Sequence, residues 1–199
     1  MSTRKEIISG FYGQYDEDGR TCRSRHGQLE YNTTMAYIHR YADKHSKVLE
    51  VGAGTGRYSI ALAKEGMDVT AVELVESNLA VLKENSKEIE NITSFQGDAT
   101  DLRRFTDNSF DVTLVLGPMY HLYEASEINR AIDEAIRVTK PGGVLMFSTC
   151  TVNPAENTGN RDLILQSDSA FSLKCERQFL PGQDPCDGFY YAMFEKKRT

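Results

Sequence analysis

No run of apolar residues in this sequence reaches the roughly 18 needed for a helix to cross a bilayer, which excludes a helical membrane span. Cysteine is scarce: Cys22, Cys150, Cys175 and Cys186 are the only four in 199 residues, and they form no close pair with metal-ligand spacing. The chain also opens without an apolar signal-type segment, so a disulfide scaffold is not expected and a reducing cytoplasm is. Proline occurs only 5 times, and no low-complexity tract or internal repeat is present, which excludes a stalk or a disordered tail. Positive charge is short as well, with 23 Lys and Arg against 29 Asp and Glu and a formal net charge of -6. Such a surface does not attract a polyphosphate as a whole, which disfavours RNA as a partner while leaving room for a local basic patch. Finally, no Gly-Lys-Ser or Gly-Lys-Thr occurs, so a P-loop is not supported.

What is present is an ordinary globular composition, 40% hydrophobic and 26% charged, in a length that suits one compact domain. Three regions are expected within it: an N-terminal lid and helix (1–45), a core (46–150), and a C-terminal helix and hairpin (151–199). Residues 1–27 are polar and rich in Tyr, Gly and Arg. A helical pattern follows over 28–41, with Leu29, Met35, Ile38 and Tyr41 on its apolar positions. From Lys47 short apolar runs alternate with amphipathic segments, which predicts repeated strand-helix units and a parallel sheet. The predicted strands are 47–51, 68–73, 92–96, 110–116 and 144–149, then 171–179 and 188–195, with a helix near 155–166. The segment Thr139-Lys140-Pro141-Gly142-Gly143 reads as the end of the helix that begins near Ser126, followed at once by a strand. The turn-rich loop from Leu180 to Pro185 predicts an antiparallel hairpin closing the sheet.

The most informative stretch is Glu50-Val51-Gly52-Ala53-Gly54-Thr55-Gly56, where a buried strand meets a helix through three alternate glycines. Missing side chains bare the backbone amides and let a nucleotide-like ligand approach the strand's carboxyl end. Glu73, 21 residues after Gly52, ends the second strand, where a carboxylate can hold ribose hydroxyls. A nicotinamide fingerprint needs another glycine where this chain has Arg57, and so fails.

On these residues the stretch resembles motif I of class I S-adenosylmethionine-dependent methyltransferases. Glu73, with Leu74 after it, matches their ribose-binding acid. Gly97-Asp98-Ala99 resembles their adenine-binding turn, in which Asp98 accepts from the exocyclic amine and Ala99 offers its amide. Phe110-Asp111-Val112 through Leu116-Gly117 resembles the fourth strand and its cofactor-facing end, and Lys140-Pro141-Gly142-Gly143 the turn before the fifth. The resemblance implies a Rossmann-like α/β fold with a seven-stranded sheet in the order 3-2-1-4-5-7-6, strand seven antiparallel and helices on both faces. The cofactor it implies is S-adenosyl-L-methionine, leaving as S-adenosyl-L-homocysteine. The cofactor-binding residues expected from it are Glu50, Gly52, Ala53, Gly54, Gly56, Glu73, Leu74, Asp98, Ala99, Leu116, Gly117 and Tyr15.

Methyl transfer from a sulfonium is an in-line displacement, so holding the acceptor near the methyl supplies much of the rate and a base is not obligatory. The acceptor should lie beside Gly117-Pro118-Met119-Tyr120-His121, at the end of the fourth strand. The Asp or Asn that opens the Pro-Pro-Tyr motif of amino-methyltransferases is missing there. His121 is the candidate for proton removal, because an imidazole titrates near neutrality, against the plainer reading of a histidine bonded to backbone. Tyr120 and Tyr123 are either pocket-lining or core, and His39 and His45 read as solvated. The resemblance implies that the N-terminal segment folds over the cofactor, Tyr12 or Tyr15 covering it and Arg25 with His26 meeting an anionic group of the substrate.

The tail points elsewhere. Thr149-Cys150, then Pro154-Ala155-Glu156-Asn157, then Asp187-Gly188-Phe189-Tyr190 resemble the C-terminal part of cytosine-5 RNA methyltransferases. In that family the cysteine matching Cys150 attacks C6 of cytosine. The chain departs from it in three ways: Met119 follows Pro118 where a release cysteine would stand, motif I is Ala53-Gly54-Thr55-Gly56, and no RNA-binding domain precedes. The two resemblances change over near Gly143, which implies a mosaic, natural or engineered, joined in the fifth strand. The expected function is methyl transfer to a small molecule. The alternatives are cytosine-5 RNA methylation through Cys150, and a folded S-adenosylmethionine-binding protein or chimera without turnover; in a mosaic, Cys150 is a buried strand cysteine with no catalytic duty.

Overall fold

The computed structural model describes residues 3–12, 25–184 and 187–198, with only the backbone of Arg25 and His26. Tyr15, Cys22 and Cys186 lie outside the described residues, as do the side chains proposed to meet an anionic group. The strands are β1 (Lys47–Val51), β2 (Asp68–Glu73), β3 (Ile92–Gln96), β4 (Phe110–Leu116), β5 (Thr139–Thr149), β6 (Phe171–Phe179) and β7 (Phe189–Lys196). The helices are α1 (Arg4–Tyr12), α2 (Arg25–Ile38), α3 (Arg57–Lys64), α4 (Glu76–Ser86), α5 (Ala125–Val138) and α6 (Asn160–Ser167). One seven-stranded sheet runs in the order β3-β2-β1-β4-β5-β7-β6. Strands β1 to β5 pair in parallel, and β7 pairs antiparallel with both β5 and β6.

The central strands are covered on both faces, which is why they read as unbroken apolar runs rather than alternating ones. Side chains still alternate across the sheet along each strand. On β5 and β7, Val144, Met146, Tyr191 and Met193 join a core with Met35 and Ile38 of α2 and Tyr58 and Leu62 of α3. Their neighbours Leu145, Phe147, Tyr190, Ala192 and Phe194 join a second core with Ala131, Ile132, Ala135 and Ile136 of α5 and Ile164 of α6. The hairpin β6-β7 is therefore part of the same packed sheet and shares both cores.

Two expectations change. The Pro141-Gly142-Gly143 segment does not separate helix from strand: β5 begins at Thr139, directly after α5, and the segment is a bulge within it. Phe110 pairs with Thr139 but Val112 with Val144, so extra residues bow out of β5. Gly142 there has φ +78°, and a Cβ on Gly143 would sit 2.8 Å from the Asp111 carbonyl oxygen. A helix stop and a strand bulge need the same residue types, so composition alone favoured the wrong one. The second change is α1, a helix where the sequence predicted only a polar lid segment.

Candidate functional site

The carboxyl ends of β1, β2 and β4 open into a cavity of about 940 Å3 including its mouth. Its wall includes Glu50, Gly52, Ala53, Gly54, Glu73, Leu74, Asp98, Ala99, Leu116 and Gly117. These ten of the twelve expected cofactor residues come together from the ends of four strands, β1 to β4, because parallel strands all end on one edge of the sheet. Of the other two, Tyr15 is not described, and Gly56 does not line the cavity. Gly56 instead starts α3 at φ +88°, and a Cβ there would meet Leu82 Cγ at 2.7 Å, so its bareness serves helix packing.

The glycine loop is held by the second strand. Gly52 and Ala53 donate their amides to the Val72 carbonyl at 2.8 and 3.0 Å. The Glu73 carboxylate accepts from Gly54 N at 2.7 Å through Oε2 and from Val75 N at 2.7 Å through Oε1. Glu50 is buried and accepts from Ser59 N at 2.9 Å and from the Ser59 hydroxyl. Burial pushes Glu50 up to about 7 against those two hydrogen bonds, with the charge of Glu73 adding to the rise. On the far side, Asp98 Oδ1 accepts from Thr100 N at 3.0 Å and Thr100 Oγ1 at 2.9 Å, and Oδ2 from Arg4 Nη2 at 2.7 Å. Burial works to raise Asp98, but the bonds from Thr100 and the charges of Arg4 and Lys5 outweigh it and hold the carboxyl below its usual range.

More of the wall is built by the 3-10 turn Pro118–His121, which follows β4 after Gly117 and sets Pro118 against Gly52. Tyr120 and His121 both face the cavity, their rings 4.3 Å apart. His121 Nε2 lies 2.8 Å from the Tyr12 hydroxyl, which α1 brings over from the other end of the chain. Burial, reinforced by the positive charge of Arg4, lowers the His121 pKa, so the imidazole is neutral at neutral pH. Arg4, Ile8 and Tyr12, at four-residue spacing along α1, all line the cavity. Arg4 was missed from the sequence; that spacing was the available signal.

Three readings of side chains are corrected. Cys150 does not line the cavity: it is exposed past the end of β5, its thiol 3.5 Å from Glu30 Oε2. The backbone around it is turned there by Asn157, whose amide bonds the Thr151 carbonyl at 3.0 Å and Gln178 at 2.7 Å. Tyr123 is neither core nor pocket, being 67% exposed. It falls after the 3-10 turn ends, where the chain heads out to α5. His39 is engaged as well as solvated, pairing with Glu65 at 2.6 Å. Among the described residues no three His, Cys, Asp or Glu side chains converge as a metal site requires.

A family model described as a methyltransferase domain matches residues 49–147, from β1 through the glycine loop to β5. The chain belongs to the class I S-adenosylmethionine-dependent methyltransferases. Its cofactor is S-adenosylmethionine. The cavity suits that group, since its lining includes the buried carboxylates of Glu73 and Asp98 and the bare backbone of Gly52 and Gly54. A second model, described as 16S rRNA methyltransferase RsmB/F, matches residues 122–195, so the two families overlap only over 122–147. The overlap takes in α5 and most of β5. The chain is 42% identical over 112 residues to the demethylmenaquinone methyltransferase of Renibacterium salmoninarum, covering 54% of this chain and 44% of that protein. It is 37% identical over 109 residues to a ubiquinone biosynthesis O-methyltransferase of Pseudomonas fluorescens, covering 54% and 46%. The chain thus spans less than half the length of each. Among solved structures, the N-methyltransferase NodS of Bradyrhizobium japonicum with S-adenosyl-L-homocysteine superposes with TM-score 0.82 at 16% identity, over 98% of this chain and 99% of that one. NSun6 of Pyrococcus horikoshii superposes with TM-score 0.68 at 20% identity, over 79% and 50%.

Proposed function

We propose that this chain transfers a methyl group to a small-molecule acceptor held between the cofactor and the Tyr12–His121 pair. The observation that carries the reading is that this pair stands on the wall of the same cavity as Gly52, Gly54, Glu73 and Asp98. The cofactor supplies an electrophilic methyl on a sulfonium. Glu73 and Asp98 fix its ribose and adenine ends, and the glycine loop admits the rest. Neutral His121 takes the acceptor's proton, while Tyr12 orients the ring through Nε2. The relatives named for quinone methylation support a small acceptor. Among the described residues no helix is long and apolar enough to cross a membrane; the proposed setting is the cytoplasm.

A second reading, cytosine-5 methylation of RNA through Cys150, draws on the match of residues 122–195. Against it, the Cys150 thiol stands outside the cavity, 3.5 Å from Glu30 Oε2. The test is transfer of labelled methyl from S-adenosylmethionine to panels of phenols, quinols, amines and cytosine-containing RNA. The expected result is label in a small acceptor. Label in RNA with a covalent adduct that disappears in Cys150→Ser would establish the second reading. Cofactor binding with no labelled product would leave a binding protein.

Glu50 gives this reading a pH dependence. Below about pH 7 its buried carboxyl is protonated, and a cationic cofactor entering beside it favours the carboxylate. Binding is therefore expected to release close to half a proton near pH 7, and affinity to rise from pH 6 to pH 8. Calorimetry in buffers of different ionisation enthalpy measures the release. Glu50→Gln should abolish it; release unchanged in that variant would refute the assignment.

A further inference from the structure

The proposed adenine acid is not free to turn. A carboxylate has about four acceptor sites, two on each oxygen. Thr100 N and Thr100 Oγ1 fill both on Asp98 Oδ1, at 3.0 and 2.9 Å. Arg4 Nη2 fills one on Oδ2, at 2.7 Å, while Arg4 Nε is tied to Glu127 Oε1 on α5 at 3.0 Å. Lys5 Nζ, 3.5 Å from Oδ2, is too distant for a strong hydrogen bond. One acceptor site on Oδ2 remains. The group is also largely out of water, with side-chain exposures of 13% for Arg4, 5% for Asp98 and 20% for Glu127.

We propose that Arg4 is a specificity-determining residue for the base of the cofactor. With Thr100 it clamps Asp98 so that the one remaining acceptor site meets an exocyclic amine and repels a carbonyl oxygen at the same place. The lid helix would then carry part of adenine recognition, with Glu127 positioning Arg4 from outside the cavity wall. This rests on the assignment of Asp98 to the adenine end made above. Without Arg4, Asp98 can rotate toward Lys5, and the penalty against a carbonyl shrinks because the carboxylate no longer has to face it.

The test uses the whole chain and two ligands, S-adenosyl-L-homocysteine and its inosine counterpart, in which the exocyclic amine is replaced by a carbonyl. Calorimetric affinities give a preference ratio for the parent, Arg4→Gln and Glu127→Gln. The parent is expected to prefer the adenine ligand by on the order of a hundredfold or more, since a buried acceptor left facing a carbonyl is costly. Arg4→Gln should cut that ratio about tenfold, and Glu127→Gln should cut it less. If Arg4 only steadies the lid, both ligands weaken together and the ratio stays, which overturns the proposal. A parent that binds the adenine ligand with no preference overturns the Asp98 assignment. A parent that binds neither overturns the placement of the cofactor itself.

Discussion

Glu73→Ala is expected to lower affinity for S-adenosylmethionine by at least a hundredfold. The carboxylate does more than wait for ribose hydroxyls, since its two oxygens accept from Gly54 N and Val75 N, both at 2.7 Å. Hydrogen bonds to a charged group contribute about 1.5–3 kcal/mol each. Losing the two loop bonds frees the glycine loop as well as removing the ribose acceptor, and about 3 kcal/mol is a hundredfold. Glu73→Gln should rescue little, because an amide nitrogen would point at Gly54 N or Val75 N, setting donor against donor. Calorimetric titration of the three proteins, with thermal unfolding to confirm that each is folded, measures the effect. Equal affinity in Glu73→Ala and the parent would remove Glu73 from the site.

The strands that position this site were legible because they are central and parallel. Val48, Leu49 and Val51, and likewise Val112, Leu114 and Val115, are buried on both faces of the sheet. Such runs stand out against the polar helices between them, and the glycines that end them carry the ligand motif. The acceptor side was less legible because it is assembled from distant chain segments. The local signal for α1 is only the capping box Thr3-Arg4-Lys5-Glu6, in which Thr3 Oγ1 accepts from Glu6 N at 3.3 Å and Glu6 Oε2 from Thr3 N at 2.8 Å, while its apolar face is poor: Ile7 and Phe11 stay exposed and Ile8 is buried. What holds α1 over the cavity is tertiary: Arg4 to Asp98 and Glu127, and Tyr12 to His121. Cys150 shows the reverse. Its motif is conspicuous, yet the turn pinned by Asn157 leaves the thiol outside the cavity. A sequence motif fixes the residue type at a strand end, while the direction of the side chain depends on the turn that follows.

The same assembly sets the other large effect, on turnover. His121→Ala is expected to lower kcat by about 10²- to 10⁴-fold, the usual worth of a positioned base. KM for the cofactor should change little, since the proposed contacts to ribose and adenine come from Glu73 and Asp98. Tyr12→Phe keeps the ring beside His121, with centroids 5.4 Å apart, but removes the hydroxyl 2.8 Å from Nε2. Its expected loss is smaller, about tenfold, because orientation is weakened while the base remains. The pH profile separates base from scaffold. The folded His121 pKa lies below the ordinary imidazole value, through burial and then the charge of Arg4. Neutral imidazole therefore predominates above that pKa, and kcat should be flat from neutrality upward. It should fall on acidification as the ring takes a proton, with a midpoint below pH 6.5. Arg4→Gln removes the positive neighbour, so the midpoint should move up toward the ordinary value. A His121→Ala enzyme with undiminished kcat, or an acid limb that survives in it, would show that the acceptor loses its proton elsewhere and that His121 only shapes the wall.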